Sequence, residues 1–185
     1  MTQKLIIFVG PPGAGKGTQA ERYTDHKSLA HISTGVMLRA HVERRTDLGI
    51  IAKEFLDKGE LVSDELVISM LRERLIEEDA SNGAILDGFP RTIPQAQSLN
   101  NLHNSSEIVA VVVFKVEEKT LIQRMLERGR SDDTEEAIKQ RFEVYKKDSE
   151  PLIAFYKEKN IININGEGEE EEIFDELADK LSLFV

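Results

Sequence analysis

The sequence predicts an α/β protein: a doubly wound, five-stranded parallel sheet flanked by helices. Three observations lead there. Short apolar runs with β-branched content recur along the chain without polar alternation, as in strands buried on both faces. Segments of helical spacing fill the gaps between them. A glycine-rich loop follows the first run directly and opens a helix. Right-handed crossovers between such strands gather the loops that follow them along one edge of the sheet.

The first strand is the run 5–9, which stops at Gly10. Runs 83–87, 108–116 and 161–164 read the same way, and 29–32 is a weaker fifth. Leu48, Ile51, Ala52, Phe55 and Leu56 follow helical spacing, and Gly59 ends that segment. Ser63 can cap the next helix, with Asp64 and Glu65 beside its positive end and Val67, Met70, Leu71 and Leu75 as its apolar face. A helix from Thr120 is expected to bury Leu121, Ile122, Met125 and Leu126. Ile138, Phe142 and Tyr145 mark another face after Asp133 or Thr134. Pro151 suits the first turn of a further helix carrying Leu152, Phe155 and Tyr156. The last helix uses Ile173, Phe174, Leu177 and Leu181. The acidic stretch around its start, Glu167 and residues 169–172, reads as solvated. No internal repeat and no long linker divides the chain.

Composition narrows the function. The 185 residues carry 34 acidic against 24 basic side chains, a formal charge of −10, which argues against a dedicated nucleic-acid binder. No apolar stretch approaches the roughly 18 residues of a membrane span. The opening Met1-Thr-Gln-Lys runs straight into the first apolar segment without the layout of a secretory signal, so a cytoplasmic protein is expected. With no cysteine there is no disulfide framework and no thiolate metal site, and His26, His31, His41 and His103 show no metal-ligand spacing.

The strongest motif is Gly10-Pro-Pro-Gly-Ala-Gly-Lys-Gly-Thr18, between a strand and a helix. Its glycines let consecutive backbone N–H groups turn inward onto phosphate oxygens, and the helix start adds a positive dipole end. Lys16 can reach terminal phosphates as a point charge. Gly17 follows the lysine and Thr18 comes one residue later, so that hydroxyl is offset from the strict phosphate-loop pattern. A second cluster is Asp87-Gly-Phe-Pro-Arg91, with Gln95 beyond. Asp87 ends a strand on the edge that bears the phosphate loop, where it can orient the hydration shell of a magnesium ion. Arg91 can fork onto a phosphate.

The third cluster is cationic. Arg124 and Arg128 are four residues apart on one helix face, Arg130 follows, then Asp132 and Asp133, then Arg141. Its plain reading is a solvated cationic face, and its sharper one a clamp stabilising charge on a transferring phosphoryl group. The fourth, His31-Ile-Ser-Thr-Gly-Val-Met-Leu-Arg39, is a helix start capped by Ser33 or Thr34. Guanine-reading and switch motifs of GTPases are absent, and no nucleophile–base pair stands out. A phosphate acceptor needs none, because a monoester with second pKa about 6 is largely ionised at neutral pH.

Taken in order, these segments resemble the nucleoside monophosphate kinases, and among them the adenylate kinase family in its short-lid form. Gly10 to Gln19, Ser33-Thr-Gly35 with Arg39, residues 59–64, Asp87 to Arg91 with Gln95, and residues 129–133 all match. The resemblance implies a phosphate-loop kinase that converts ATP and AMP reversibly into two ADP with magnesium. It implies that Gly13, Ala14, Gly15, Lys16, Gly17 and Thr18 hold the ATP phosphates, and that Gly166 lies near the ATP adenine. Thr34, Gly35, Arg39, Glu60, Val62, Gly88, Arg91 and Gln95 would form the AMP site. Arg124, Arg128, Arg130 and Arg141 would surround the transferring phosphoryl, with Arg124 also covering the ATP base. Asp87 would hold magnesium through water.

Further implications concern organisation. Residues 1–32, 63–127 and 138–185 would be the core, 33–62 an AMP-binding segment and 128–137 a short lid, in a monomer. Some longer relatives bind zinc through lid cysteines; this chain has no cysteine, so no zinc is expected. The family usually carries an acid where Val36 stands, which implies weaker use of magnesium or slower turnover here. The nearest rival is a UMP or CMP kinase, against which Thr34 and Gln95 speak. A rival of another class is a nucleotide binder without catalysis, against which the arginines speak.

Overall fold

The computed structural model describes residues 2–101 and 106–185, so Met1 and His103 lie outside the described residues. Five parallel strands, β1 (Gln3–Val9), β2 (Ala30–Ser33), β3 (Gly83–Asp87), β4 (Ser106–Lys115) and β5 (Ile161–Asn165), form one sheet in the order β2-β3-β1-β4-β5. The helices are α1 (Lys16–Asp25), α2 (Thr34–Glu43), α3 (Asp47–Lys58), α4 (Asp64–Leu75), α5 (Ile93–Asn100), α6 (Glu118–Arg128), α7 (Glu135–Val144), α8 (Pro151–Phe155) and α9 (Glu170–Leu181). A π-turn, Tyr145–Ser149, joins α7 to α8.

Strand β1 shows why the sheet is parallel and covered. Its side chains alternate between faces, and both faces are sealed: Leu5, Ile7 and Val9 on one, Ile6 and Phe8 on the other, none more than 4% exposed. The first face packs against α2–α5 and α8 through residues such as Leu38, Ala52, Leu71, Leu99 and Leu152. The second packs against α1, α6, α7 and α9 through Tyr23, Met125, Phe142 and Leu177. Register fixes what shares an edge: Phe8 pairs with Asp87, and Asp87 with Ser33. The ends of β1, β3 and β2 therefore deliver the glycine-rich loop, Asp87 and Ser33 to one rim, where such sheets bind ligands.

Several expectations change in detail. Helix α6 starts at Glu118 and buries only Leu121 and Met125; Ile122 and Leu126 are 37% and 52% exposed, so its apolar face is one row wide. Ser63 precedes α4 without a side-chain cap, whereas Thr134 caps α7 by accepting from the Ala137 N–H at 3.2 Å. Helix α5 offers periodicity only Ile93, Ala96 and Leu99, over about two turns. It is set locally, by Thr92 Oγ1 accepting from the Gln95 N–H at 3.2 Å and by a proline in its first turn.

Helices α2 and α3 cross closely. A Cβ at Gly49 would lie 2.0 Å from the His41 carbonyl oxygen, so only glycine fits there. Thr46 turns the corner, capping α3 by accepting from the Gly49 N–H at 3.0 Å. Gly59, at φ +72°, ends α3 against α7, where a Cβ would lie 2.4 Å from the Ala137 carbonyl oxygen. Among the described residues no helix is long and apolar enough to cross a membrane.

Candidate active site

A cleft of about 640 Å³ opens on the rim of the sheet. Its floor is the glycine-rich loop, where Gly13 and Gly15 take φ of +85° and +82°, conformations that turn backbone N–H groups inward. Lys16 folds back over the loop, and Nζ donates to the carbonyls of Gly10 and Pro11 at 2.7 and 2.8 Å. Burial brings its pKa down to about 8, against the pull of Asp87 and with a further push from Arg91 and Arg128.

Asp87 stands beside the lysine. Its Oδ2 accepts from Ser33 Oγ at 3.0 Å, lies 3.6 Å from His31 Nε2, and would be 3.3 Å from a Cβ at Gly17. Burial works against its charge, but the His31 ring, the Lys16 ammonium and the Ser33 hydroxyl outweigh it and hold the carboxyl at about 2. Among the described residues no three His, Cys, Asp or Glu side chains cluster as a metal cage. One ionised carboxylate among hydroxyls fits a magnesium ion that keeps its waters and binds substrate phosphate, which is the way that ion is usually held.

The far end of the cleft is built around Gly88, at φ +75°, whose carbonyl accepts from Thr34 Oγ1 at 2.8 Å and Arg91 Nε at 2.9 Å. A Cβ there would lie 2.8 Å from Arg91 Nη2 and 3.1 Å from Thr34 Oγ1, so glycine lets both side chains close in. Burial lowers the pKa of Arg91, with Asp87 opposing. Gln95 is fixed from both ends of its amide: Oε1 accepts from the Arg91 N–H at 2.7 Å, and Nε2 donates to Asp64 Oδ1 at 2.7 Å. Asp64 also accepts from Thr92 Oγ1 at 3.1 Å, and Ser149 Oγ donates to the Arg91 carbonyl at 2.9 Å. Val62, Glu60 and Leu38 complete this wall.

Across the top lie the arginines. Asp133, with a fully buried side chain, takes Arg128 through both oxygens and Arg141 Nη1 at 2.6 Å. Burial would raise its pKa, but the two guanidiniums bring it below the ordinary range. Arg141 Nη2 also donates to the Asp132 carboxylate, to the Asp132 carbonyl and to the Leu56 carbonyl at 3.3 Å. Arg39 approaches Asp132 at 3.9 Å. Arg130 feels burial and the charges of Arg39 and Arg128, which bring its pKa down to about 10. Such crowding of cations suits a bound polyanion. Arg124 turns to the side, where Nη1 donates to the Gly166 carbonyl at 2.9 Å.

The cleft thus gathers the residues that the resemblance assigns to the nucleotide sites, with one exception. Gly166 does not line it; a Cβ there would meet Val116 at 2.4 Å, and neighbouring Gly168 faces the cavity instead. The sequence reading missed the roles of Asp64, Ser149 and His31. Asp64 read as a helix-start acid, and nothing in spacing says that its carboxylate reaches α5. Asp132 and Asp133 were visible between the arginines, and their fixed spacing was the available signal.

Comparison with known proteins gives a consistent set. The family model for adenylate kinase matches residues 8–161. A protein named adenylate kinase from Prochlorococcus marinus (strain MIT 9211) is 48% identical over 171 residues, 91% of each chain. Its namesake from Corynebacterium urealyticum is 45% identical over 170 residues, 91% of this chain and 93% of the relative. The namesake from Leptospira biflexa (strain Patoc 1 / Ames) is 48% identical over 177 residues, 92% and 95% of the two chains.

Proposed function

The chain belongs to the adenylate kinase family, and we infer that it transfers a phosphoryl group reversibly between ATP and AMP, giving two ADP. The observation that carries the reading is one cleft with two different ends. A phosphate loop with Lys16 forms one end, and the Thr34, Arg91 and Gln95 pocket forms the other. Arginines bridge them.

In this reading Gly13 to Thr18 bind the ATP phosphates through backbone N–H groups, and Lys16 leaves its loop carbonyls for them. Arg39 and Arg91 grip the AMP phosphate. Thr34 and Gln95, with backbone near Gly35, Glu60, Val62 and Gly88, hold its base. The attacking oxygen is already ionised, so no general base is needed. Catalysis rests on alignment and on Arg124, Arg128, Arg130 and Arg141 stabilising charge on the transferred group. Asp132 and Asp133 aim Arg141 and Arg128 before substrate arrives.

Asp87 would hold magnesium through its water shell, and the ion would offset charge on the ATP phosphates. Val36, 54% exposed at the cleft edge, offers no oxygen to that shell. Residues 33–62 and the lid 128–137 would close over the substrates and exclude water, limiting hydrolysis. The protein would act as a cytoplasmic monomer without zinc or nucleic acid.

The test is a coupled assay of ADP formation from magnesium ATP with AMP, UMP, CMP or GMP as separate acceptors. Activity with AMP alone is expected. Equal activity with a pyrimidine monophosphate would overturn the roles of Thr34 and Gln95, and no activity in folded, ATP-binding protein would overturn the reading itself.

A further inference from the structure

We propose that Glu167 is a positioning residue for the ATP base, acting by capping helix α6 from outside the helix. The proposal rests on the reading above, in which ATP lies on the phosphate loop, and adds that its base lies against the β5–α9 turn, where Arg124 and Gly168 line the same cleft.

A helix start leaves backbone N–H groups unpaired. In a capping box, the side chain of the third helical residue reaches back to the N–H of the capping residue. Helix α6 lacks that arrangement, because its capping residue, Glu117, makes no side-chain cap and its third residue is Thr120. Glu167 supplies the missing acceptor from 50 residues away: Oε1 accepts from the Glu117 N–H at 2.6 Å, and Oε2 from Thr120 Oγ1 at 3.2 Å. Its charge also suits the positive end of the helix.

The same turn is held a second time. Arg124 on α6 donates to the Gly166 carbonyl at 2.9 Å, and the Gly166 N–H donates to the Lys115 carbonyl at 2.9 Å. A Cβ at Gly166 would lie 3.4 Å from the Ala14 carbonyl oxygen, so this backbone rests against the phosphate loop. Glu167 and Arg124 tie turn and helix together on either side of Gly166, and Gly168 and Arg124 line the cleft beside them. Glu167 thereby sets the distance between the wall for the base and the floor for the phosphates. The acidic stretch is thus not all solvated, and its first member is engaged.

Titration calorimetry of wild type, Glu167→Ala and Glu167→Gln with ATP, with AMP and with inorganic tripolyphosphate, which has no base, tests this. For Glu167→Ala, ATP binding should weaken about three- to tenfold, the worth of one or two hydrogen bonds. AMP and tripolyphosphate binding should hold, and Glu167→Gln, which keeps one acceptor oxygen, should fall between. Unchanged ATP affinity, or an equal loss for tripolyphosphate, would overturn the proposal. Wild-type protein that binds ATP no tighter than tripolyphosphate would instead overturn the donor-site reading beneath it.

Discussion

Asp133 and Arg141 meet at 2.6 Å, and the same buried carboxylate holds Arg128 in a fork. An acid beside a site for two polyanions looks misplaced until its partners are counted. Its single charge fixes two cations whose mutual repulsion would otherwise spread them apart. Placing them before substrate binds removes a reorganisation cost from the transfer step.

Replacing Asp133 with asparagine should therefore lower kcat more than it raises either KM. A charge-assisted hydrogen bond is worth roughly 1.5–3 kcal/mol, so turnover should fall about ten- to a hundredfold. Steady-state kinetics decides. A change confined to KM would show that the pair serves binding only.

Asp64 holds the Gln95 amide nitrogen and the Thr92 hydroxyl that caps α5, so its loss should act on the acceptor end of the cleft. Asp64→Ala is expected to raise KM for AMP about ten- to a hundredfold, by removing charge-assisted bonds worth roughly 1.5–3 kcal/mol. Selectivity against UMP should narrow, with KM for ATP preserved. Selectivity equal to wild type would detach Asp64 from recognition.

Arg91→Ala should mainly weaken AMP use, and Lys16→Ala should lower turnover at saturating concentrations of both substrates. Burial of the Arg91 guanidinium makes its loss an empty, polar-lined gap at the acceptor end. Unchanged kinetics in either variant contradicts the role given to that residue.

Lys16 introduces a pH dependence. Burial holds its pKa at about 8 in the free protein, so the cationic form prevails below that value and is lost above it. Since kcat/KM follows the free enzyme, kcat/KM for ATP should bend downward as pH rises through about 8. Lys16→Arg, always charged, should abolish the bend whatever its absolute rate. A wild-type profile flat to high pH would contradict the assignment.

Val36→Asp places a carboxylate within the same cleft as Asp87. It should tighten the apparent magnesium affinity in a titration at fixed ATP. No shift in either that affinity or the rate would show that Val36 costs this protein nothing.

Much of this was legible because it is periodic or contiguous. Strand 83–87 appears with its expected bounds, and Gly59 ends α3 as expected, since each rests on local chemistry. The phosphate loop was readable for the same reason. What escaped was set by contact across the chain. Ile122 and Leu126 have helical spacing and apolar character, yet the neighbouring layer meets only Leu121 and Met125. Helix α5 spans only eight residues, so Ile93, Ala96 and Leu99 make too short a pattern to read, and the Thr92 cap and a proline are its clearest signals. Asp64 and Glu167 are surface acids by every local measure, and each finds its partners on elements distant in sequence.

The crossing at Gly49 has a mechanical consequence. Two helices whose backbones touch, with the corner pinned at Thr46, have no joint between them. If residues 33–62 close over the cleft as proposed, α2 and α3 would move as one arm that turns near Ser33 and Gly59. A small rotation there would be multiplied along the arm and would swing the corner at Arg44 and Arg45 farthest. A side chain forced into position 49 would splay α2 from α3, and movement of α3 would no longer carry Arg39, on α2, with it.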